Sequence, residues 1–164
     1  MKKYRYQFSA SSTDYYFDAR LADLDQLTDP ASTIIITDNN VAKAHARKLR
    51  KRKLIVIEPG ENNKVQKTVD RVIGELIQMQ ADRKTCVVGL GGGVICDLTG
   101  FVASIYLRGV RFGFVPTTIL SMVDASIGGK NGIDVGVFKN LVGTIRQPSF
   151  LLYDLSLLQS LPEP

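Results

Sequence analysis

At 164 residues, with 45% hydrophobic and 23% charged composition, the chain has the material for one good core and reads as a single globular domain. No stretch approaches eighteen uninterrupted apolar residues, and Met1-Lys2-Lys3 leads into Tyr4-Arg5-Tyr6 rather than an apolar run, so no membrane span is expected and the cytoplasm is the default expectation. The net charge of +5 raises nucleic acid as a partner, and the pattern along the chain decides against it.

Over the first thirty-two residues the patterning is weak, and Tyr15-Tyr16-Phe17-Asp18 is expected to pair as a hairpin. Ile34-Ile35-Ile36 reads as a strand and Val41 to Leu49 as a helix. The basic cluster Arg47, Lys48, Arg50, Lys51, Arg52 and Lys53 follows that helix, where cations complement the dipole while staying solvated. No aromatic residue interleaves it to stack on bases, so neither nucleic acid nor membrane is expected as a partner. His45, the one histidine, has no cysteine or carboxylate at ligand spacing; it reads as a surface residue far from any site.

Leu54-Ile55-Val56-Ile57 is the next strand, followed by Pro59-Gly60-Glu61-Asn62-Asn63-Lys64 and a helix from Val65 to Gln80. Thr85 to Leu90 reads as a buried parallel strand, Val94 to Tyr106 as a helix with Asp97 in its first turn, and Phe112 to Val115 as a strand. Beyond Pro116 the pattern turns irregular, with Gly128-Gly129 and a short hairpin around Ile133 to Phe138, until Phe150-Leu151-Leu152-Tyr153 returns as a strand. Cys86 and Cys96 lack metal-type spacing and read as small core residues of a reducing compartment. Strands alternating with helices imply an α/β fold, a Rossmann-like parallel sheet flanked by helices, with ligand loops at the strands' carboxyl ends. Asp38, Gly60-Glu61 and Gly91-Gly92-Gly93 all fall there.

Gly91-Gly92-Gly93 joins a strand to a helix N-terminus, where missing Cβ atoms and the helix dipole suit a diphosphate; the bland alternative is a tight turn that binds nothing. It is not the Gly-x-Gly-x-x-Gly dinucleotide pattern. Asp38-Asn39-Asn40 suits a ribose hydroxyl or, equally, a helix cap, and Thr117-Thr118 suits a ligand or a cap.

Read with Asp97, Arg108-Gly109, Pro116-Thr117-Thr118, Asp124, Gly128-Gly129-Lys130 and Lys139-Asn140, the segment from Gly91 closely resembles 3-dehydroquinate synthase. The resemblance extends back to Thr37-Asp38-Asn39-Asn40-Val41 and Pro59 to Lys64, and forward through Gln147-Pro148 to Leu157-Leu158-Gln159-Ser160-Leu161-Pro162; the first thirty-two residues depart from it. It implies NAD contacts from Asp38, Asn40, Glu61, Lys64, Gly92, Gly93, Val94, Asp97, Thr117, Thr118 and Leu157 to Ser160, the last standing where threonine is more usual. It implies substrate contacts from Asp124, Lys130, Lys139 and Asn140, with Lys130 and Lys139 also near the cofactor, and from Arg108 toward a neighbouring subunit of a homodimer.

The implied reaction converts 3-deoxy-D-arabino-heptulosonate 7-phosphate, a phosphorylated keto acid, to 3-dehydroquinate and phosphate in the shikimate pathway. It runs through transient oxidation by NAD, phosphate elimination, re-reduction and aldol closure, with a divalent metal, zinc or cobalt, polarising the hydroxyl. The family's metal ligands lie in a second, helical domain, so residues 1–164 are expected to be the N-terminal NAD-binding domain alone, with no metal site and no complete catalytic set. Another sugar-phosphate cyclase, a metal-dependent polyol dehydrogenase of related fold, and a non-catalytic nucleotide-binding module remain as alternatives.

Overall fold

The computed structural model describes residues 1–162. An antiparallel pair opens the chain, β1 (Lys2–Gln7) and β2 (Ser12–Phe17), so the expected N-terminal hairpin is present. A short helix α1 (Leu24–Leu27) leads to β3 (Thr33–Asp38), then α2 (Asn39–Ala44), α3 (Ala46–Leu49) and β4 (Lys53–Ile57). Next come α4 (Gln66–Gln78), β5 (Cys86–Gly91), α5 (Gly93–Ile105) and β6 (Arg111–Pro116). A second hairpin, β7 (Lys130–Val135) and β8 (Phe138–Ile145), precedes β9 (Phe150–Leu152).

Seven strands form one sheet in the order β1-β2-β9-β6-β5-β3-β4, parallel throughout except for the β1–β2 pair. Strand alternation sorts the core between its two faces. Ile34, Ile36, Val87, Phe112 and Phe114 point to the face covered by α4 and α5, whereas Ile35, Val88, Val115 and Leu152 point to the face with Leu24 of α1 and Leu49 of α3. α5 is buried on most of its surface because the sheet lies on one side and the β7–β8 hairpin on the other, which accounts for a helix apolar nearly all round. Among the described residues no helix is long and apolar enough to cross a membrane.

Four expectations need correction. The helix read from Val41 to Leu49 is two short ones, broken at His45, whose backbone (φ −114°, ψ 22°) leaves the helical region. His45 is also not a surface residue: it is 8% exposed, and its Nε2 lies 2.9 Å from the Ser160 hydroxyl. Positions 41, 45 and 49 share one helix face at four-residue spacing, so His45 sits on the inward stripe between Val41 and Leu49. The late hairpin is larger than the expected Ile133–Phe138, spanning Lys130 to Ile145, because most of β8 is exposed and polar residues interrupt its apolar alternation. Asp97 falls in the second turn of α5 rather than the first.

Gly113 of β6 stands opposite Phe150 of β9, and a Cβ there would collide with the Phe150 ring. Gly113→Ala is therefore expected to destabilise the fold by about 1–3 kcal/mol. Phe150→Leu in the same chain should recover part of that loss in urea denaturation, although either change alone lowers stability.

Candidate functional site

The turns after β3, β5 and β6 meet over a cavity of about 230 Å³. Asp38, Asn40, Gly60, Gly92, Gly93, Val94, Thr117, Thr118 and Ser160 line it, bringing residues from five separated segments together. Asp38 Oδ1 accepts the N–H groups of Asn40 and Val41 at 2.9 Å each and caps α2, while Oδ2 makes no hydrogen bond among the described residues. Capping and ligand recognition are thus compatible, one oxygen for each.

Gly92 precedes the first turn of α5 and no side chain caps that turn. Its leading N–H groups have no acceptor earlier in the helix, so they stand as donors at the positive end of the dipole. A side chain on Gly93 would press on Ala125, with Cβ atoms 3.3 Å apart, so the cradle depends on having none. Thr118 serves as a cap: its Oγ1 accepts the Ser121 N–H at 3.1 Å, opening the π-helical turn Ser121–Ala125 that presents Asp124. His45 holds Ser160 at the rim.

A second cavity, of about 570 Å³, lies between the far side of the α5 N-terminus and the β7–β8 hairpin. Asp97, Asp124, Lys130 and Asn140 line it. Lys64, 3% exposed and itself lining neither cavity, sits between Asp97 and Asn140. Its Nζ donates to Asn140 Oδ1 at 2.8 Å and faces Glu61 Oε1 at 2.7 Å, Asp97 Oδ2 at 3.3 Å and Asp134 Oδ1 at 3.8 Å. Burial alone would lower the Lys64 pKa, but the Glu61 hydrogen bond and the Asp97 charge outweigh it and raise it above the ordinary lysine value. Burial pushes the Asp97 carboxyl up from 3.8 to about 6 against the pull of Lys64, and the Glu61 and Asp134 charges add to the rise.

Several residues singled out in the sequence lie outside both cavities. Leu157 is a core side chain, Leu158 packs beside the core, and Gln159 is exposed. Lys139 is exposed on β8, one residue from Asn140. Arg108 is exposed on the turn after α5, where Leu107 (φ 49°) and Arg108 (φ 63°) are both left-handed. Asp134 escaped the sequence reading altogether. Its partner Lys64 is seventy positions away, and no local pattern links the two.

Residues 54–164 match the family model described as 3-dehydroquinate synthase N-terminal. The chain is similar to a 3-dehydroquinate synthase from Dictyoglomus thermophilum, 51% identical over 110 residues, covering 67% of this chain and 31% of that relative. Another from Sulfurovum sp. (strain NBC37-1) is 38% identical over 159 residues, covering 93% and 45%. The fold is similar to that of 2-epi-5-epi-valiolone synthase from Streptomyces hygroscopicus subsp. jinggangensis 5008, solved with NAD+ and Zn2+ bound, with a TM-score of 0.82 and 28% identity over 98% of this chain and 47% of that one. The chain thus spans less than half the length of these relatives.

Asp97 supplies a stability test. Below about pH 4 the carboxyl is protonated in both states and costs nothing. Between about pH 4 and 6 the folded state keeps a proton that the unfolded chain releases, so stability falls as pH rises, and above pH 6 the full cost remains. Asp97→Asn is expected to raise ligand-free stability at pH 7 by up to roughly 3 kcal/mol, the gain vanishing below pH 4, as read from thermal melts across that range.

Proposed function

We propose, because this chain belongs to the 3-dehydroquinate synthase family, that it forms the NAD-binding domain of an enzyme converting a phosphorylated seven-carbon keto acid to 3-dehydroquinate and phosphate. The observation that carries the reading is the uncapped N-terminus of α5 opening into the same cavity as Asp38, Thr117 and Thr118. A carboxylate for ribose and free helix N–H groups for a diphosphate are the two halves of dinucleotide recognition. That the valiolone synthase of similar fold was solved with NAD+ bound supports the same assignment.

In this reading Asp38 Oδ2 accepts a ribose hydroxyl, the first turn of α5 takes the diphosphate, and Thr117 and Thr118 add hydroxyl contacts, with Asn40 at the rim. Bound there, NAD supplies reversible hydride transfer, which acidifies the C–H beside the oxidised carbon. Lys64, Glu61 and Asp97 sit toward the larger cavity, where a carboxyl titrating near pH 6 can hold or release a proton. Lys130, Lys139, Asp124 and Asn140 orient the substrate, the lysines neutralising its anionic ends. Among the described residues no group of three or more His, Cys, Asp or Glu side chains could hold a metal. In the same proposal a divalent metal, zinc or cobalt, would be held by residues in the part of the relatives that this chain does not span.

A sister cyclase acting on another sugar phosphate is the second reading, favoured by the valiolone synthase likeness; the 51% identity to a 3-dehydroquinate synthase supports the first. A homodimer belongs to the same proposal, with Arg108 reaching a neighbouring subunit. Its support is two successive left-handed non-glycine residues holding that side chain outward, a backbone cost that clusters at functional sites. A cytoplasmic location fits two buried, unpaired cysteines.

Calorimetry with this chain should show NAD binding at about millimolar concentration or tighter. Asp38→Ala and Gly93→Val should each weaken it by about tenfold or more; no heat and no chemical-shift change with the native sequence would overturn the assignment. In the complete enzyme, mixing Arg108→Ala chains with Lys130→Ala chains should restore part of the activity each lacks alone, and mixed dimers with none would remove Arg108 from the shared site.

A further inference from the structure

We propose that Asp134 is a positioning residue, its carboxylate holding Asn140 and, through it, the Lys64 ammonium in place between the two cavities. The proposal rests on reading those cavities as cofactor and substrate sites.

Asp134 lies at the irregularity in the β7–β8 ladder, between the Ile133–Val142 and Val135–Phe138 pairs. Such a bulge re-aims a side chain out of the strand's alternation. Three hydrogen bonds then close a ring: the Asp134 N–H donates to the Lys64 carbonyl at 2.8 Å, the Asn140 N–H donates to Asp134 Oδ1 at 2.7 Å, and Lys64 Nζ donates to Asn140 Oδ1 at 2.8 Å. Asn140 is left-handed (φ 51°), a conformation that asparagine tolerates, and Asp134 accepts its N–H. The ammonium's short contacts go to Glu61, Asp97 and Asn140, leaving Asp134 at 3.8 Å as a charge rather than a direct partner. By hydrogen bonds its carboxylate therefore reaches the ammonium only through the Asn140 turn. Without that carboxylate the β7–β8 tip, which carries Lys139 and Asn140, keeps the backbone bond from the Asp134 N–H to the Lys64 carbonyl but loses the side-chain anchor of Asn140.

The test compares Asp134→Ala with Asp134→Asn, whose amide oxygen still accepts the Asn140 N–H. In Asp134→Ala the protection of the Asn140 amide against hydrogen exchange should fall, the Lys64 side-chain resonances should shift, and NAD affinity should drop about tenfold. In Asp134→Asn all three should stay within about threefold of the native chain. A merely structural or charge role would not be rescued by Asn. Unchanged Asn140 protection or unchanged NAD affinity in Asp134→Ala overturns the proposal, as does an Asp134→Asn chain that is folded yet equally impaired. Should Asp134→Ala fail to fold, Asp134→Ser, too short to reach the Asn140 N–H, takes its place. If the native chain binds no NAD, the functional reading falls, and the Asn140 and Lys64 signals alone decide whether Asp134 positions them.

Discussion

After β3 the chain crosses to one side of the sheet, through α2 and α3 to β4, and after β5 it crosses to the other, through α5 to β6. The two turns leave adjacent strands in opposite directions, so no connection covers the space beyond their carboxyl ends. That divergence opens the crevice flanked by Asp38 and Gly92. It also fixes how α5 is used. Because α5 packs between the sheet and the β7–β8 hairpin, its N-terminus is held at the crevice by burial of its sides, and its leading N–H groups face it without a side-chain cap.

Beside this crevice the electrostatics are arranged around one ammonium. Lys64 draws together Glu61 from its own turn, Asp97 from α5, and Asp134 and Asn140 from the hairpin. Three carboxylates surround one buried cation, and the Asp97 pKa is raised chiefly by burial, with the Glu61 and Asp134 charges adding to the rise and Lys64 opposing it. With its pKa raised, the Asp97 carboxylate is costly to the fold at neutral pH. The network ties the Glu61–Lys64 turn to α5 and to the β7–β8 hairpin through a single side chain.

The framework elsewhere is less strained. Asp154, 1% exposed, accepts hydrogen bonds from the Leu21 and Ser156 N–H groups and from Arg20 and Ser156 side chains, and these outweigh burial and hold its pKa below the usual range. It joins the end of β9 to the segment after β2, where the antiparallel N-terminal pair meets the parallel sheet. A buried carboxylate satisfied on all sides behaves as a pin, whereas Asp97 takes its one side-chain hydrogen bond from Lys64 and carries a raised pKa.

Much of this was legible along the chain. The five parallel strands from Thr33 onward declared themselves as short apolar runs, since both faces of the sheet are covered and few polar residues interrupt them. The glycine turn before α5 and the acidic turn after β3 were visible because their signals are local, a missing Cβ and a capping side chain. The sequence therefore determined the fold class, the strand ends that bear the site and most residues on their turns. Tertiary structure alone decided that His45 is buried against Ser160, that Leu157 serves the core, and that Asp134 closes a ring with Lys64 and Asn140. Each of these depends on contacts between segments far apart in the chain, and periodicity, capping and turn chemistry report only on neighbours within a few residues.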